Sequence, residues 1–92
     1  MFGEKVKQLR IARGISQVEL AKALGVSKQS VSNWENDNIL PSIEMLVKTA
    51  EYFSVSTDYM LGIDSREVID VSGLDLTRIS HIRQIIDDFK KI

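Results

Sequence analysis

Apolar residues recur along most of this chain at intervals of three and four, the period of one helix face. Phe2, Val6, Leu9 and either Ile11 or Ala12 make a first stripe, which ends at Gly14. After Ile15, the run Ser16-Gln17-Val18-Glu19 is a capping box. Its serine hydroxyl accepts from the Glu19 N–H, and the Glu19 carboxylate reaches back to the Ser16 N–H. Leu20, Ala21 and Leu24 form the inner face of this second helix, and Gly25 supplies the left-handed turn that stops it. Ser27 caps a third helix predicted over residues 28–36, with Val31 and Trp34 pointing inward. Asn36-Asp37-Asn38 is turn chemistry, and Pro41 closes that loop. Ser42 caps a fourth helix, with Glu44 in its favourable first turn and Ile43, Leu46, Val47, Ala50 and Phe53 at helical spacing. Ser56 or Thr57 opens a short fifth helix containing Tyr59, Met60 and Leu61, closed by Gly62.

Residues 64–73 read as a connection in which Val68, Ile69 and Val71 form a short extended piece. A last helix follows, carrying an apolar seam of Ile79, Ile82, Ile86 and Phe89 widened by Ile85. The pattern predicts an all-α protein: a five-helix domain over 1–62, a linker over 63–75 and a C-terminal helix over 76–92. Five helices make a complete domain, so the seam is expected to pair with its twin in a homodimer rather than fold back.

Composition narrows the chemistry. The 92 residues carry a net charge of −1 and contain no cysteine, which excludes a disulfide scaffold, a thiolate metal site and a cysteine nucleophile. His81 is the single histidine, so no metal or other cofactor is expected, and no serine sits in a nucleophile motif. An enzyme is not expected. No apolar run approaches a membrane span, and the start of the chain lacks the order of a secretion signal; a cytoplasmic protein is expected. The charge is uneven. Residues 1–34 hold six bases and two acids, while residues 35–92 hold six bases and eleven acids. A basic third beside an acidic remainder points to a face for a polyanion, although solvated surface charge would give the same count.

Residues 17–36 combine a helix, a tight turn at Gly25-Val26-Ser27 and a second helix, with small Ala21 where the helices meet and Val31 filling the angle between them. Together these are the signature of a helix-turn-helix. Opposite Val31 and Trp34, the third helix carries Lys28, Gln29, Ser32 and Asn33. None is apolar and none is an acid. Lysine reads guanine O6/N7, and Gln or Asn reads adenine N6/N7, so these four are the candidate base-reading residues. Gln17, in the first turn of the second helix, is placed to meet a phosphate, with Ser27, Ser30, Asn36 and Arg10 as further phosphate candidates and Lys7 adding long-range charge. Trp34 is assigned to the core by its inward phase, and Met45 and Met60 to core or rim packing.

Ser16-Gln17-Val18-Glu19-Leu20-Ala21, Gly25-Val26-Ser27, Val31-Ser32-Asn33-Trp34-Glu35-Asn36 and Pro41-Ser42 together resemble the lambda-repressor-like helix-turn-helix family of phage and bacterial repressors. Tyr52 to Ser56 and Asp58 to Gly62 match the closing helices of the same family. The resemblance covers residues 4–62. It implies a five-helix domain that binds double-stranded operator DNA, usually as a dimer, with base reading by Lys28, Gln29, Ser32 and Asn33 and phosphate contact by Gln17 and its neighbours. Asn36-Asp37-Asn38 departs from the basic or glycine-containing loop common in the family, and Asp37 is expected to weaken backbone contact there. A second reading is a protein-interaction or antitoxin-like module that uses this fold to hold an antirepressor or other protein partner.

Overall fold

The computed structural model describes residues 2–91. Met1 and Ile92, the outer ends of the predicted first and last segments, lie outside the described residues. Six helices follow in order: α1 (Phe2–Arg13), α2 (Gln17–Leu24), α3 (Lys28–Glu35), α4 (Ile43–Phe53), α5 (Thr57–Met60) and α6 (Leu76–Lys90). Among the described residues there is no strand, and Val68 to Val71 form none.

The starts of α2 to α6 are each set by a side chain that accepts a backbone N–H. Ser16, Ser27, Ser42 and Ser56 cap α2, α3, α4 and α5, and Asp75 caps α6. The Ser16–Glu19 capping box is complete in both directions. At the other end of α2, Gly25 adopts φ 73°, a left-handed conformation that only glycine takes at low cost. The Lys48 ammonium reaches the adjacent Leu24 carbonyl at 2.8 Å, placing a cation at the negative end of the helix.

The first five helices share one core of Phe2, Val6, Leu20, Leu24, Val31, Trp34, Ala50, Phe53 and Met60. Phe2 meets Trp34 edge to face at 6.0 Å between centroids. α1 crosses α3 so closely that a Cβ on Gly3 would sit 2.1 Å from the Trp34 carbonyl oxygen. The stripes are narrower than the sequence pattern implied. Ile11 and Ala12 both face solvent, so the α1 stripe ends at Leu9. Ile43 is 82% exposed and Val47 also faces out; the inner arc of α4 is Leu46, Thr49, Ala50 and Phe53. Thr49 is fully buried because its hydroxyl donates to the Met45 carbonyl at 2.6 Å, which satisfies it within its own helix. Leu61 lies just past α5 and is exposed.

α6 stands apart from this core. None of its residues is buried, and the linker rather than another helix lies against its seam.

Candidate nucleic-acid interface

α3 is held from behind by three residues at helical spacing. Val31 and Trp34 enter the core, and Glu35 turns inward with them. Glu35 is the centre of a polar lock. Arg10 of α1 donates from Nε to Oε2 at 2.7 Å and from Nη2 to Oε1 at 3.1 Å, a two-pronged pair. The third arm of that guanidinium, Nη1, donates to the Ile15 carbonyl at 2.9 Å. Gln17 Nε2 of α2 adds a bond to Glu35 Oε1 at 3.2 Å. The two charged side chains keep only 14% and 2% of their surface exposed. Glu35 raises the pKa of Arg10 through this hydrogen bonding, so the guanidinium stays charged at any ordinary pH.

This geometry corrects one expectation. Arg10 was expected at a phosphate, but its fork is spent inside the protein, where it ties α1 to the end of α3. Glu35 escaped the sequence reading because an acid does not count toward an apolar stripe. Its signal was phase: it lies four residues after Val31, on the buried side.

The basic third of the chain contributes less free charge than its count suggests. Besides Arg10, Arg13 lies over the Tyr52 and Phe53 rings and donates to the Tyr52 carbonyl, and Lys5 lies over the Tyr59 ring. Lys7, Lys22 and Lys28 are the bases of that third outside these contacts.

The outward side of α3 brings together the four residues singled out for base reading. Lys28 and Gln29 are exposed, and Ser32 and Asn33 are half-buried. Gln29 Nε2 donates to Asn33 Oδ1 at 3.1 Å, so the two amides lie one turn apart on a single ridge. Asn36 Nδ2 leans back to Ser32 Oγ at 3.4 Å. No carboxylate lies between Lys28 and Trp34. The ridge therefore offers an ammonium, two amides and a hydroxyl, all able to exchange hydrogen bonds with base edges.

The expected phosphate groups flank this ridge. Gln17 is half-buried and anchored by Glu35, at the first turn of α2, where the N–H groups of Gln17 and Val18 have no intrahelical acceptor. Ser27 and Ser30 bond each other through their hydroxyls at 3.0 Å, which leaves one hydroxyl hydrogen of the pair to donate outward. Asp37 takes φ 58°, and its carboxylate lies against Gly3 at the start of α1, where the helix dipole favours an anion. Among the described residues, no group of three or more His, Asp or Glu side chains converges as a metal site would.

Comparison with known proteins agrees with this geometry. The family model described as Helix-turn-helix (HTH_3) matches residues 6–60. The chain is 37% identical over 89 residues to the HTH-type transcriptional regulator ImmR of Bacillus subtilis (strain 168), spanning 97% of this chain and 68% of that one. It spans 29% and 56% of two other curated HTH-type regulators that it matches. Among solved structures, it resembles the P22 c2 repressor in complex with synthetic operator 9T, with TM-score 0.66 and 33% identity over 70% of this chain and 97% of that one. The likeness to a chain of the SinR protein/SinI protein complex covers 100% of both chains, with TM-score 0.64 and 27% identity. A helix-turn-helix signature, a polar ridge on α3 locked from behind and a family match over most of the five-helix domain converge: this chain belongs to the lambda-repressor-like helix-turn-helix family of DNA-binding transcriptional regulators.

Proposed function

We propose that this chain is a homodimeric, sequence-specific repressor that lays α3 in the major groove of a near-palindromic operator. The observation that carries the reading is the outward ridge of α3, free of carboxylate and built from Lys28, Gln29, Ser32 and Asn33. Lys28 addresses guanine, and Gln29 and Asn33, already hydrogen-bonded to each other, address adenine. Gln17, the first-turn N–H groups of α2, Ser27, Ser30 and Asn36 set the register on the phosphates. Glu35 acts through others: it orients Gln17 and pins the end of α3, so that the ridge is fixed before DNA arrives.

α6 joins two such heads. Two reading helices then meet successive major grooves about 34 Å apart, and the second docking becomes effectively intramolecular. The bound dimer blocks polymerase by occlusion. Likeness to the P22 c2 repressor protein in complex with a synthetic operator supports repression over activation. Likeness to a chain of the SinR protein/SinI protein complex supports a second reading, in which the fold also holds a protein partner. Selection from a random duplex library tests the proposal. Enrichment of an inverted repeat is expected; recovery of no motif would leave only the protein-partner reading.

A further inference from the structure

The seam of α6 is covered on one flank only. Val68, Ile69 and Val71 of the linker lie against Ile79, Ile82 and Ile86 around a cleft of about 250 Å³. Ile79 and Ile82 are half-buried by this packing. On the other flank Ile85 is 54% and Phe89 69% exposed, large apolar side chains left bare among the described residues.

The charges beside that bare flank are ordered along the helix. Arg78, Ile82, Ile85 and Phe89 follow one another at spacings of four, three and four, and so share a face. His81, Ile85 and Asp88 border it at spacings of four and three. The bases thus stand at the start of the face and the acid at its end. Arg83 lies on the other side, lining the linker cleft. Within its own chain Arg78 pairs with Asp75, and Asp88 accepts from Gln84 at 2.9 Å. These are exposed contacts of the weak, exchangeable kind.

A pair closed by a two-fold axis can run parallel or antiparallel. In the parallel case each central position of the face meets its own copy, so Arg78 would meet Arg78, and the bordering Asp88 of the two chains would lie on opposite sides of the seam, far from either guanidinium. In the antiparallel case position i meets j and j meets i. Setting Ile82 of one helix on Ile85 of the other brings Arg78 over Phe89 and beside Asp88 of the second copy, and puts His81 on the same edge as that Asp88, two residues along the helix from it. A guanidinium then finds a carboxylate and a ring face at both ends of the seam.

We infer that the bare flank of α6 is a self-recognition surface that takes α6 of a second copy in antiparallel orientation, aligned by Arg78 and His81 of each chain against Asp88 of the other. The inference rests on the dimeric reading above and adds its geometry. Sedimentation equilibrium on full-length Arg78→Glu and Asp88→Arg variants tests it, with circular dichroism to show that each folds. Each single reversal places like charges together at both ends, and the dimer dissociation constant should rise roughly tenfold. The double variant should regain wild-type pairing, and mixing the two single variants should restore it as well. Single reversals that leave a wild-type dimer unchanged, or a double variant that fails to recover, would overturn the antiparallel geometry while leaving the dimer standing. A wild-type chain that stays monomeric at its highest soluble concentration would overturn both and assign the seam to another protein.

Discussion

Replacing Arg10 with methionine would keep most of its apolar stem and remove the guanidinium. Glu35, with a side chain 2% exposed, would then lose two charge-assisted hydrogen bonds and keep one from Gln17, while the Ile15 carbonyl would lose its donor. An uncompensated buried carboxylate of this kind costs about 3–5 kcal/mol. A domain of this length has a total stability of roughly 5–14 kcal/mol. Arg10→Met is therefore expected to leave a marginal fold. Replacing both partners, Arg10→Met with Glu35→Leu, should restore much of the loss, because no charge is then left unpaired. Urea unfolding followed by the fluorescence of Trp34, the single tryptophan and the chain neighbour of Glu35, measures all the variants. The double-mutant cycle should show a coupling of at least about 1 kcal/mol. If Arg10→Met cost less than about 1 kcal/mol, the pair would be behaving as an exposed one and its assigned role in fixing α3 would be wrong.

Other outcomes follow from the same structure. Gly3→Ala would drive a methyl group to 2.1 Å from the Trp34 carbonyl, forcing α1 off α3; a loss of about 1–3 kcal/mol in thermal or urea unfolding is expected. Asn33→Ala should weaken operator binding by about 1–3 kcal/mol and relax base preference at one position, while Gln17→Ala should weaken all sequences alike; titration against an operator and its single-base variants separates the two. Truncation after Asp64 removes most of the linker and all of α6 but no residue of the buried core; a folded monomer with weaker operator binding is expected, checked by sedimentation and gel shift. The Glu19 carboxylate has its pKa lowered by hydrogen bonds from the Ser16 N–H and hydroxyl. The unfolded chain therefore binds that proton more tightly, and this contribution is present above the ordinary glutamate range and lost as pH falls below about 4. A Glu19→Gln variant should show a flatter fall of melting temperature across that acid window.

The helices were legible because their boundaries are local events. Ser16, Ser27, Ser42 and Ser56 each cap through a hydroxyl three residues from its target, and Gly25 stops α2 by its own backbone freedom. The ridge of α3 was legible for the same reason: phase within one helix fixes which residues share a face. What could not be read was the outcome of contacts between distant segments. The Arg10–Glu35 pair joins residues 25 positions apart, and nothing near Arg10 marks its guanidinium as turned inward. Thr49 lay hidden among apolar neighbours because a back-bonded hydroxyl packs like a methyl group. Ile43 and Val47 misled in the other direction: periodicity locates a stripe but not its width, which depends on how near α2 and α5 approach. Asp37 is a further case, since only the tertiary approach of α1 gives its carboxylate somewhere to turn.

The engagement of Lys5, Arg10 and Arg13 within the fold bears on how such a head travels along a genome. Each phosphate neutralised by a lysine or arginine adds about −0.9 to the slope of log affinity against log salt. With half of its N-terminal cations already occupied, the head is expected to show a shallow slope and a loose hold on arbitrary sequence, which gel shifts on unrelated duplexes over a salt series would measure. Sliding and hopping would then be brief, and residence on a chromosome would depend on finding the right bases.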